Sequence, residues 1–86
     1  MGQHGRTEKV ATMTPYANFG GNSGIVAYSI EAVSIEILFK DRARYLYTYA
    51  SAGENCVEQM KELATQGSGL NSYISRVVKK SYARKS

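Results

Sequence analysis

In the run Phe39 to Tyr49, FKDRARYLYTY, tyrosine takes every second position after Arg44. Side chains alternate faces along a strand, so Tyr45, Tyr47 and Tyr49 share one side while Leu46, Thr48 and Ala50 share the other. A helix would scatter the three rings around its axis. Upstream, Ile35, Ile37 and Phe39 alternate with Ser34, Glu36, Leu38 and Lys40. That pattern predicts a half-buried strand with β-branched and aromatic residues on one face. Lys40 to Ala43 turn the chain between the two runs, and a β-hairpin follows.

The flanking segments extend this hairpin into a layered domain. Ile25 to Ser29 reads as a short first strand, with a turn near Ile30 to Val33. Three short strands with one apolar face cannot stand alone in water, so something must pack on that face. Two helical patterns supply the cover. Asn55 followed by Glu58 has capping-box spacing, Val57, Met60, Leu63 and Ala64 fall at helical intervals, and Gly67 suits a left-handed C-terminal cap. From Leu70 to about Tyr82, the residues Leu70, Tyr73, Ile74 and Val77 form one stripe with Val78 at its margin. Arg76, Lys79 and Lys80 cluster elsewhere on the helix, with Tyr73 at the border. The expected fold is α+β: a three-stranded antiparallel meander followed by two helices packed on one face, β-β-β-α-α.

Residues 1–22 show no sustained period and run into Gly20, Gly21, Asn22, Ser23 and Gly24, so a flexible N-terminal arm is expected there. Val10, Met13, Tyr16 and Phe19 are spaced by three, but Thr12, Thr14 and Pro15 oppose a stable helix. The domain is expected over residues 23–82 and a basic tail over 83–86. A folding unit of roughly 60 residues buries only about 60% of its unfolded surface. Its core is thin, with little room for an enclosed cleft, which favours binding or assembly over turnover of a small-molecule substrate.

Catalytic parts are scarce. His4 is the single histidine and falls in the arm, Asp41 is the single aspartate, and Cys56 has no neighbour in sequence to activate it. Glu54, Glu58 and Glu62 repeat every four residues, the mark of a solvated helix face, and Cys56 reads as a small apolar residue. No enzymatic activity, metal or cofactor is expected. One cysteine rules out an internal disulfide, no apolar leader opens the chain, and no apolar run approaches the ~18 residues of a membrane span. A cytoplasmic protein without membrane contact is the expectation.

Residues 23–82 resemble the KTSC domain, found at the C-terminus of some lysyl-tRNA synthetases and as small stand-alone bacterial proteins. The resemblance is carried by Tyr28, by the alternating Ile35, Ile37 and Phe39, and by Tyr45-x-Tyr47. It continues through Ala64-x-x-Gly67 to Asn71, Ile74, Arg76 and Tyr82. The family usually has Gly in the hairpin, where Lys40 to Ala43 stand here, and a Val-Pro step where Ser51 to Glu54 stand. The resemblance implies the same β-β-β-α-α order, and by association with the synthetase it suggests RNA.

Two binding classes stay open. Of the eleven Lys and Arg, five fall between Ser68 and Ser86, a stretch without an acid. Arg76, Lys79, Lys80 and Arg84, edged by Tyr49 and Tyr73, form a candidate RNA (tRNA) surface on a basic C-terminal helix. Basic residues near a helix end also stabilise it through the dipole without binding anything. Tyr45 and Tyr47 serve either as stacking platforms or as core, and the need of both helices for a surface to cover favours core. The alternative is a protein-interaction module or homodimer that pairs an exposed sheet edge, with no nucleic-acid role.

Overall fold

The computed structural model describes residues 13–21 and 23–86. Within them the protein is α+β. One antiparallel sheet runs in the order β1-β2-β3-β4-β5: β1 (Thr14–Pro15), β2 (Ile25–Glu31), β3 (Ser34–Phe39), β4 (Arg44–Thr48) and β5 (Arg84–Lys85). Between β4 and β5 come the helical turn α1 (Tyr49–Ala52), the main helix α2 (Glu54–Gln66) and α3 (Leu70–Tyr73), which runs into a π-helical turn (Ile74–Val78). No helix among the described residues is long and apolar enough to cross a membrane.

The central meander follows from the alternation. Ile35 pairs with Tyr47 and Ile37 with Tyr45, so apolar side chains of β3 and β4 share the face that α2 and α3 cover. Ile35, Ile37, Tyr47, Val57, Met60 and Leu70 are the largest fully buried side chains. In β2 an extra residue, Val26, interrupts the register between Ile25 and Ala27, so a bulge lets both Ile25 and Ala27 be buried. The β3–β4 hairpin closes over Lys40, Asp41 and Arg42, and Arg42 sits at φ 73, the position for which glycine is usual. The Asp41 carboxylate accepts from Ala43 N–H at 3.0 Å, which stiffens the turn.

Several expectations need correction. Part of the presumed arm is docked: β1 pairs with β2, Tyr16 N–H donates to the Val26 carbonyl at 2.9 Å, and the Tyr16 ring is buried at 7% exposure. Residues 13–19 form no helix, and a proline is tolerated on a two-residue edge strand, where its missing donor faces no partner. Residues 1–12 and Asn22 of that arm, including His4 and Val10, lie outside the described residues. The basic tail is likewise a strand. Arg44 and Ser86 exchange backbone bonds at 2.9 and 2.8 Å, and Ala83 N–H donates to the Leu46 carbonyl at 2.7 Å. The unspent edge of β4 supplies those partners.

The third strand ends at Thr48 rather than Ala50. A capping box formed between Thr48 and Ser51, each side chain bonded to the other's backbone N–H at 3.0 Å, turns Tyr49 into a helix. Asn55 is therefore not a cap, because α2 already begins after Gly53. The last helix stops at Val78, not near Tyr82. Its π turn spreads five residues per hydrogen bond, with Lys79 N–H reaching the Ile74 carbonyl at 2.7 Å. The delayed phase leaves Val77 50% exposed and buries Val78.

Gly67 ends α2 at φ 84, and a Cβ there would come within 2.7 Å of the Ala17 side chain and 2.9 Å of the Phe19 ring. Both the left-handed backbone and the crowding oppose any side chain. Gly67→Ala is expected to cost about 2 kcal/mol, read as a lowered urea midpoint with an unchanged slope.

Candidate functional site

The hairpin turn, β4, α3 and the segment leading into β5 enclose an open groove of about 810 Å³. Phe39, Tyr45, Tyr47 and Tyr82 supply its aromatic part. Phe39 and Tyr45 meet edge to face at 5.2 Å, Tyr45 and Tyr82 at 4.9 Å, and Tyr47 and Tyr82 at 6.1 Å. Such T-shaped contacts fix ring orientations beyond what burial alone does. Tyr47 is buried, whereas Phe39, Tyr45 and Tyr82 are only partly covered and keep ring surface toward the groove.

Charge surrounds these rings. Lys40, Lys79, Lys80 and Lys85 line the groove against a single acid, Asp41. Lys85 lies opposite Tyr45 in the β4–β5 register, and its ammonium sits 5.4 Å from the Tyr45 ring centre. The Tyr45 hydroxyl beside it raises the Lys85 pKa and holds the charge. Lys79 is placed differently. The π turn ends on it at φ 47 and ψ −116, a conformation that side chains rarely adopt, and its carbonyl accepts from the Tyr47 hydroxyl at 3.1 Å. That one bond ties the strained turn to the sheet. Burial, then the neighbouring Tyr45 and Tyr82, push the Tyr47 phenol up to about 12.

Of the candidate RNA-contacting residues, Lys79 and Lys80 line the groove, and the others do not. Tyr49 sits on α1 instead, where its hydroxyl donates to Glu58 Oε2 at 2.6 Å. Lys61 bridges the same carboxylate at 2.8 Å, with its ammonium 5.7 Å from the Tyr49 ring centre. The Glu58 bond raises the Tyr49 phenol to about 12, while Lys61 and then Tyr49 lower Glu58. Tyr73 packs toward α2, and burial, then Cys56, raises it to about 12. Arg76 is exposed on the π turn, and Arg84 pairs opposite Leu46, so alternation sends its side chain to the opposite sheet face from Tyr45. The single basic ridge expected on a continuous helix is thus divided, because the helix ends before Lys79.

Of the motif residues, Tyr28 and Tyr47 are core, Ile74 joins core to groove, and Phe39, Tyr45 and Asn71 line the groove. Lys40, in the hairpin turn, carries no signal of this role in the sequence, whereas Lys85 is one of the five C-terminal cations, and it reaches Tyr45 only once β5 is laid beside β4. Among the described residues no cluster of three or more His, Cys, Asp or Glu converges. The arrangement offers ring surface, cations and hydrogen-bonding groups side by side, which suits a flat group carrying negative charge. No protein-family model, curated protein or solved structure matches this chain.

Proposed function

We propose that the protein is a small non-enzymatic binding module that takes single-stranded RNA, such as the unpaired parts of a tRNA, in the groove between the β3–β4 hairpin and α3. The observation that carries this reading is the convergence of four lysines and three partly covered aromatic rings on one groove. Unpaired bases stack on aromatic rings for about 1 to 3 kcal/mol each, and lysines along the same path neutralise the phosphates. The KTSC-like order of residues 23–82 adds an association with tRNA chemistry. The contact set differs from a basic helix ridge: Lys79 and Lys80 act with Lys40, Lys85, Tyr45 and Tyr82, while Tyr49, Tyr73, Arg76 and Arg84 stand outside it.

Assembly through a sheet edge has less support than in a bare three-stranded meander, since β1 and β5 each cover part of an edge. Salt separates the two readings. Three or four phosphate contacts on a single strand imply a slope of about −2 to −3 in log affinity against log salt. Affinity for a mixed-sequence RNA oligomer should then fall roughly 15- to 60-fold from about 50 to 200 mM salt. Fluorescence anisotropy checks this. An affinity indifferent to salt, or no binding together with concentration-dependent self-association, would move the case to assembly.

A further inference from the structure

We propose that the sheet face turned away from the helices joins two copies of this chain into a symmetric dimer. Residues of α1, α2 and α3 all belong to, or pack against, one core cluster with Ile35, Ile37 and Tyr47, so the helices cover a single face of the sheet. Alternation sends Glu36, Leu38, Arg44 and Leu46 to the other. Neither Leu38 nor Leu46 joins that core or packs against it, and among the described residues no ion pair engages Glu36 or Arg44. All four are half-buried. Ala27, which pairs with Leu38, continues the apolar side of the patch into β2. A sheet stabilises a small domain by burying what its faces carry, and association of copies is one of the ways in which a thin core is supplemented.

What points to a second copy rather than an unlike partner is the arrangement of the four residues. Glu36 stands opposite Leu46 and Leu38 opposite Arg44, so the leucines occupy one diagonal of the patch and the two charges the other. A two-fold axis laid in the interface along the leucine diagonal sets each leucine against the same leucine of the second copy and exchanges the charges. Glu36 then meets Arg44 across the interface, and symmetry repeats the pair. The sheets cross steeply, as in orthogonal packing. Charge also fixes how the copies face, because setting Glu36 on Glu36 or Arg44 on Arg44 is opposed by repulsion. The groove of Tyr45 and Tyr82 lies on the helix-covered side, so this dimer stands or falls apart from the RNA reading.

The test is sedimentation equilibrium of the full chain over a concentration series. The parent should pass from one chain to two as concentration rises. Glu36→Arg alone, and Arg44→Glu alone, each set like charges in contact twice per dimer and should weaken association about 100-fold. The double variant should recover it to within about tenfold of the parent. An equimolar mixture of the two single variants should also dimerise, because each supplies the charge that the other has lost. No contact within one chain can produce that recovery. A parent that stays a single chain at every concentration overturns the proposal and leaves the face to another occupant. A dimer indifferent to both single substitutions overturns it too, since the copies then meet elsewhere, and so does a mixture that fails to associate.

Discussion

Tyr47→Ala is expected to destabilise the protein by about 4 kcal/mol, enough to leave much of the chain unfolded at physiological temperature. Tyr47 is 1% exposed, packs against Ile35 across the sheet register, and meets Tyr82 edge to face. Truncation removes a ring from a core too thin to close over the cavity. Chains of this size hold only about 4 to 13 kcal/mol in total. A urea titration followed by tyrosine fluorescence reads the loss, and a midpoint within the parent's error would show that the ring is not a core member. Tyr47→Phe keeps the ring and removes only the bond to the Lys79 carbonyl, for about 1 kcal/mol. The phenol also sets an alkaline limit. Its folded pKa, near 12, lies above the unfolded value of 10.0, so its stabilisation is intact below pH 10 and is lost as pH rises toward 12. Tyr47→Phe should weaken this alkaline fall, leaving the part contributed by Tyr49 and Tyr73.

Reversal of Lys79, Lys80 and Lys85 together to Glu is expected to abolish RNA binding, by roughly 100-fold or more at low salt. The three are exposed, so the fold should tolerate the change to within about 1 kcal/mol. Lys40 alone would then face Asp41 and three introduced carboxylates around the rings. The matched control is Arg76→Glu with Arg84→Glu, two changes of sign outside the groove. It should weaken binding only through long-range attraction, an effect largely screened beyond the ~8 Å Debye length of physiological salt. Equal losses in the two variants, measured at that ionic strength, would return the site to a diffuse basic surface. A triple variant that binds as well as the parent would remove the lysines from the site altogether.

The parts of this architecture that were legible in the sequence are those written in a local period. Alternation from Ser34 to Thr48 predicted which faces of β3 and β4 are buried, and helical spacing with Gly67 predicted the core stripe and the end of α2. What escaped depends on partners distant in sequence or on competing local bonds. Tyr16 is held from 54 residues away, its hydroxyl accepting from Leu70 N–H at 3.3 Å, a contact no window around Pro15 contains. Arg84 and Lys85 carry no strand signal and pair because β4 offers an open edge. Tyr49 continued the alternation of its neighbours, but the Thr48 and Ser51 caps decided its conformation. The site was half legible for the same reason. Lys79 and Lys80 stood out as charges, whereas their meeting with Tyr82, Tyr45 and Lys85 required the helix to end where it does.

That ending bears on how the site is inherited. A π turn is an α-helix that has absorbed one extra residue, and each residue added to or taken from a helix rotates everything beyond it by about 100°. The direction in which Lys79, Lys80 and Tyr82 leave the helix is therefore set by a tally: the number of residues separating Leu70 from Val78. Point substitutions at exposed positions such as Ser75 and Arg76 leave that tally untouched. In lineages of this chain, drift in letters along the segment is compatible with the groove, while a change in length of one is not.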